Sequence, residues 1–196
     1  MRNRIDWGAV NNFDRTTVPP DLWHTARHEA AHLLTAAYYK IPVHGLYIKM
    51  PGSAKSPLVP NARGAVMAWD EPTVGDIVCT LAGTAADFHV MGAERCMEDA
   101  GFINDYLDAK DRIRSAVRDP WFHELYVSAN HVLSEDEVHE LTVKFGAEAK
   151  KIVDRHWDAI ETLAAAIVVS AAHSTGRLHS RKAWEIYEYA CRAIAG

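Results

Sequence analysis

Residues 28–32 read His-Glu-Ala-Ala-His. On a helix, residues four apart lie one turn apart on the same face, with about 5–6 Å between their β-carbons. At that separation His28 and His32 can grip one tetrahedral zinc ion through their ring nitrogens, with bonds of ~2.0–2.1 Å. Glu29 falls between them, where its carboxylate can face a water on the ion's open side and act as general base. Such chemistry has two further requirements. The pentapeptide must lie on a helix, and a third ligand must come from elsewhere in the chain.

The flanking sequence supplies the helix. Pro19-Pro20-Asp21 suits a first helical turn, because proline is tolerated there and aspartate complements the positive end of the helix dipole. Leu22, Ala26, Ala30, Leu33 and Ala37 then recur at helical spacing up to about Tyr39, so the motif sits mid-helix. Pro42 is expected to end this helix. Val43–Met50 reads as a strand, Pro51–Gly64 as a Pro- and Gly-bearing loop, and Ala65–Trp69 as a second short strand. Beyond Pro72 the pattern is helical: Val74–Val90, a loop over 93–103, then Asn104–Arg118 ahead of Pro120. Ser134 and Glu137 form a capping box that opens a long helix reaching about His173, and Ser180 caps a last helix, Arg181–Ala193. Residues 1–17 are polar and aperiodic, which predicts a loosely docked arm.

Composition narrows the class. The 196 residues are 48% hydrophobic and 24% charged, which fits one globular domain with a real core. Accordingly, the chain divides into an arm (1–18) and a single domain (19–196), mainly α with α+β character. A formal charge of −5 provides no basic stripe for nucleic acid or an anionic membrane. The three cysteines lack CxxC pairing, which argues for a reducing compartment and against a cysteine zinc site. The charged N-terminus has no apolar signal segment, and the run Leu163–Ala172 is about half of the ~20 residues a membrane span requires. A cytoplasmic protein without membrane contact is expected.

For the third ligand, the extended motif with glycine three and histidine six residues past His32 is ruled out, since Thr35 and Tyr38 stand there. Glu94 and Glu98 do not fall in a convincing helix. An aspartate beyond the second apolar helix is the better candidate. Three stretches bear on it: Arg27-His-Glu-Ala-Ala-His32, Leu81-Ala-Gly-Thr-Ala-Ala-Asp87, and Gly101-Phe-Ile-Asn-Asp105-Tyr-Leu-Asp-Ala109. Together they resemble the peptidase domain of FtsH-type zinc metalloproteases. That family shows His-Glu-Ala-Gly-His, a Gly-Gly-Arg-Ala-Ala-Glu helix, and Gly-Ala-Ser-Asn-Asp followed four residues later by alanine. The likeness extends to the helix around Arg155-His-Trp-Asp-Ala-Ile-Glu-Thr-Leu-Ala164, and so covers about residues 20–190. Ala31 stands where the family has glycine, and Phe102-Ile103 is bulkier than the family's Ala-Ser.

The resemblance implies a zincin-like fold, helical with a small sheet beside the active-site helix. It also implies a zinc metalloendopeptidase in which Asp105 joins His28 and His32 on the metal and Glu29 is the catalytic base. Asp105 would open its helix, where aspartate is also favoured as a plain cap, and Asp108 is the fallback ligand. An extended substrate is expected to pair with the strand Ala65, Val66, Met67, Ala68 and Trp69. No Walker A sequence is present, since Gly52-Ser-Ala-Lys-Ser56 lacks the glycine before the lysine. The expected substrates are therefore loosely folded proteins or peptides, or chains fed by a separate ATPase or unfoldase, and the family's six-fold ring raises a homo-oligomer. A non-catalytic zinc-binding regulatory protein that keeps the peptidase fold is the alternative. The remaining histidines considered (His44, His89, His123, His131, His139, His173 and His179) have no partner at ligand spacing and read as ordinary surface or core residues. Cys79 reads as inert packing and the six tryptophans as core.

Overall fold

In chain order the elements are α1 (Trp7–Asn11), a 3-10 turn (Arg15–Thr17), α2 (Pro20–Tyr38), β1 (Val43–Lys49), β2 (Arg63–Ala68), α3 (Val74–Thr80), α4 (Ala82–Met91), α5 (Ala100–Ala116), α6 (Glu135–Arg155), α7 (Trp157–Ala171) and α8 (Ser180–Ala195). A computed structural model describes residues 4–49, 63–68, 73–92, 100–116, 122, 132–171, 178 and 180–195. The protein is mainly helical, as its periodicity requires. Among the described residues no helix is long and apolar enough to cross a membrane. The expected loop 51–64 lies almost wholly outside the described residues, as do Trp69, Glu94 and Glu98.

Helix α2 forms the centre. It begins at Pro20 with Asp21 in its first turn, and Leu22, Ala26, Ala30, Leu33 and Ala37 are all buried, as their spacing predicts. Burial goes further round the helix: Trp23, Ala31, Leu34 and Ala36 are buried too, because α7, α4, α8, α3 and β2 all pack on it. The alanines keep the helix narrow enough for neighbours to approach from several sides. Its end is set before Pro42. Lys40 takes a left-handed conformation (φ 59°), Lys40 N–H donates to the Ala37 carbonyl, and Ile41 N–H donates to Ala36 at 2.8 Å. Those paired bonds are a Schellman cap, with lysine at the position glycine prefers.

Strands β1 and β2 pair antiparallel, Leu46 opposite Val66 and Tyr47 opposite Ala65, with an irregularity between Val43 and Gly45. Leu178 N–H donates to the Leu46 carbonyl on the far edge of β1, and α8 packs there as well. Strand β2 lies against α2, and among the described residues its other edge has no strand partner.

Three expectations change. Residues 4–18 are docked rather than loose: Asp6 caps α1 through Ala9 N–H, Ile5 N–H donates to Glu185, and Trp7 stacks on Tyr189 at 4.9 Å. Ile5 and Val10 are buried, so this short segment closes one side of the core. The helix expected over 74–90 breaks into α3 and α4 at Leu81. The long helix after Ser134 has the expected capping box but is interrupted at His156, dividing α6 from α7. Neither glycine nor proline marks that interruption. Helix α7, with Ile160, Leu163, Ala164 and Ile167 fully buried, packs on α2.

Candidate metal centre

His28 and His32 project from the middle of α2 and meet Asp105 from α5. The two Nε2 atoms lie 3.1 Å apart, and Asp105 Oδ2 lies 3.3 Å from His28 Nε2 and 3.5 Å from His32 Nε2. Among the described residues these three side chains form a group able to hold a metal ion. A tetrahedral ion with bonds of ~2.0–2.1 Å separates its donor atoms by about 3.3–3.4 Å, so the triangle matches one face of that tetrahedron. Asp105 does not open its helix, because α5 is already under way at Ala100. Asp108, the fallback ligand, is turned away and accepts from Arg112 Nε at 3.0 Å.

Proton positions make the fit chemical as well as geometric. His28 Nδ1 lies 2.8 Å from Asp87 Oδ2, and His32 Nδ1 lies 2.7 Å from the Cys79 carbonyl. A carbonyl and an ionised carboxylate only accept, so both Nδ1 atoms carry hydrogen. The neutral rings then direct two Nε2 lone pairs and a carboxylate oxygen at one point, an arrangement that demands a cation or added protons. Without a cation the site draws protons instead. Burial opposes charge on His28, but its hydrogen bonds with Asp105 and Asp87 outweigh burial and lift its pKa to about 10. His32 is likewise buried yet raised, chiefly by the Asp105 charge, and Asp105 is held far below the ordinary carboxylate range despite its own burial.

One segment orients all three candidate ligands. Cys79, at the end of α3, receives the His32 N–H on its carbonyl and donates its thiol to the His32 carbonyl at 3.2 Å. From α4, the Thr84 hydroxyl donates to Asp105 Oδ2 at 3.3 Å, and Asp87 receives His28. Between them, Gly83 faces the imidazoles so closely that a β-carbon there would stand 2.4 Å from both Nε2 atoms. The interruption at Leu81 accompanies this layout, with Cys79 on one helix and the other three residues on the next.

Glu29 is 4% exposed, and its Oε2 has no hydrogen-bond partner among the described residues. Burial pushes its pKa up. A buried carboxyl oxygen left unpaired costs free energy, so its persistence beside the triad points to a group that arrives with water or substrate. The expected substrate strand is present over Ala65, Val66, Met67 and Ala68 as part of β2, while Trp69 falls outside the described residues.

Motif reading missed the orienting residues. Asp87 did leave a signal, being an acid inside an otherwise largely apolar helix, and it is 1% exposed. His24, one turn before His28, also went unnoticed, yet its Nε2 lies 3.2 Å from Asp87 Oδ1. The Cys79 carbonyl leaves no trace in sequence at all. In comparison with known proteins, the chain matches no protein-family model and no curated sequence.

Proposed function

We propose that the protein is a zinc-dependent endopeptidase that hydrolyses peptide bonds of loosely folded polypeptides. The observation that carries the reading is Glu29: a buried carboxyl, one oxygen of which has no partner among the described residues, between two histidines whose free nitrogens converge with Asp105. His28, His32 and Asp105 would hold Zn²⁺, in a fold of the zincin type. Bound zinc supplies Lewis-acid polarisation of the scissile carbonyl and lowers the pKa of a bound water towards ~7.

The chain's own residues supply the proton traffic and the positioning. Glu29 takes a proton from the attacking water onto its free oxygen and delivers it to the leaving amine. Its burial favours that role, since a raised pKa lets the carboxyl hold the proton between the two steps. Asp87, the Cys79 carbonyl and Thr84 keep His28, His32 and Asp105 in place, so none of them has to reorganise during the reaction. The edge of β2 that is not paired with β1 offers backbone N–H and C=O groups to an extended substrate. A segment already paired within a folded protein is not free to form such a strand, so the substrates proposed are loosely structured or delivered by a separate unfoldase.

Casein digestion by wild type and Glu29→Gln at equal zinc content tests the reading. Loss of the base is expected to lower activity by about 10²–10⁴-fold. Equal cleavage by both would remove Glu29 from the mechanism. A zinc-loaded wild type that cleaves nothing would overturn the peptidase reading in favour of a non-catalytic zinc protein.

A further inference from the structure

We propose that His24 is a positioning residue for the metal centre, acting through Asp87 on His28; this rests on the metal-site reading above. Asp87 is 1% exposed and carries no cationic partner from lysine or arginine among its described contacts. Its two oxygens are divided between two imidazoles of the same helix: Oδ2 receives His28 Nδ1–H at 2.8 Å, and Oδ1 faces His24 Nε2 at 3.2 Å. The pair is a close nitrogen–oxygen contact, and with hydrogen on Nε2 the His24 ring can donate to that oxygen.

Each oxygen of a buried carboxylate needs a donor. Without His24, Oδ1 would lose the one partner it has among the described residues, and the carboxylate would be free to turn about its side-chain bonds in search of another. His28 would then lose the group that fixes both its tautomer and the direction of its ring. The histidines at 24, 28 and 32 follow at successive helical turns, so one face of α2 carries two ligands and the clamp on the carboxylate behind the first of them. His24 cannot itself be a ligand in this arrangement. Its Nε2 is turned to Asp87, on the side of His28 opposite the nitrogen that meets Asp105. Its side chain is 25% exposed, whereas that of Asp87 is 1% exposed.

The test is Zn²⁺ affinity of the full chain, measured by competition with a chromophoric chelator. Removing an outer partner of a metal-bound histidine weakens binding by about 10–100-fold, and His24 acts one step further out, so His24→Leu should bind about tenfold more weakly. His24→Gln, whose amide can reach Asp87 Oδ1 as a donor, should stay within about twofold of wild type. In an Asp87→Ala background, His24→Leu should produce no further loss, because the path runs through that carboxylate. Wild-type affinity in His24→Leu overturns the proposal, as does an equal loss in the Gln variant or an undiminished loss without Asp87. Melting of the metal-free variants checks folding, and His24→Ala takes the place of a leucine variant that does not fold. Failure of the wild type to take up Zn²⁺ would instead bring down the metal-site reading itself, a result distinct from a wild type that binds and is indifferent to His24.

Discussion

Gly83 is the residue at which packing and the candidate metal site are most tightly tied. Both imidazoles are pinned at Nδ1, so neither can swing aside to accept a β-carbon 2.4 Å from its Nε2. Gly83→Ala is therefore expected to weaken Zn²⁺ binding by about tenfold or more, as loss of ring orientation does elsewhere. Gly146, within α6, has open space where a side chain would go. Gly146→Ala should leave Zn²⁺ affinity unchanged and raise stability by about 0.5–1 kcal/mol through helix propensity. Isothermal titration and thermal melting on the two variants read both effects, and equal zinc binding by Gly83→Ala would refute the first. At this scale His28, Glu29 and His32 were legible because a pentapeptide carries its own geometry once it is helical. Asp105 was named only through family likeness, while Asp87 and Thr84 were seen in a motif without their roles.

Among the elements, the pairing of α3 with α4 matters most for the site. Periodicity cannot distinguish one helix of 17 residues from two shorter ones that meet at Leu81, since both keep the same apolar faces. The break accompanies contacts 47 and 59 residues away in sequence, Cys79 with His32 and Asp87 with His28. Helix α5 is tied to α3 through a close ion pair between Arg112 and buried Asp76, and Arg112 also holds Asp108. Asp108, though one turn from Asp105, is engaged by that second bond and is not in the triangle. The end of α2 yields a prediction of its own. Lys40 occupies a left-handed cap that suits glycine, so Lys40→Gly should stabilise the protein by about 0.5–1 kcal/mol. Chemical denaturation measures this, and destabilisation would mean that the lysine side chain contributes more than its backbone strain costs.

For the molecule as a whole, the metal is expected to be a stabilising ligand. The candidate ligands come from α2 and α5, and the segment that orients them comes from α3 and α4, so an ion would bind only when all four are assembled. Zinc at about 100 times its dissociation constant should add about 2.7 kcal/mol, or about 5–10 °C in Tm for a domain of this size. A chelator should reverse the shift. Asp105→Asn should abolish it and Asp108→Asn should retain it, which differential scanning calorimetry can establish. An unchanged shift in Asp105→Asn would mean that another group completes the site.

The sequence alone determined the helical character, the mid-helix position of the histidine pair, the capping box at Ser134 and the strand pair, because each follows from contacts within a few residues or from a simple period. Tertiary structure decided the rest. It docked residues 4–18 by stacking and a hydrogen bond to α8, interrupted the helix at His156 without a breaking residue, and chose Asp105 over Asp108 for the triangle. It also placed His24 and Asp87 behind His28. Those outcomes depend on which surfaces meet once the core closes, and a hydrogen bond between groups 59 residues apart has no local pattern from which to read it.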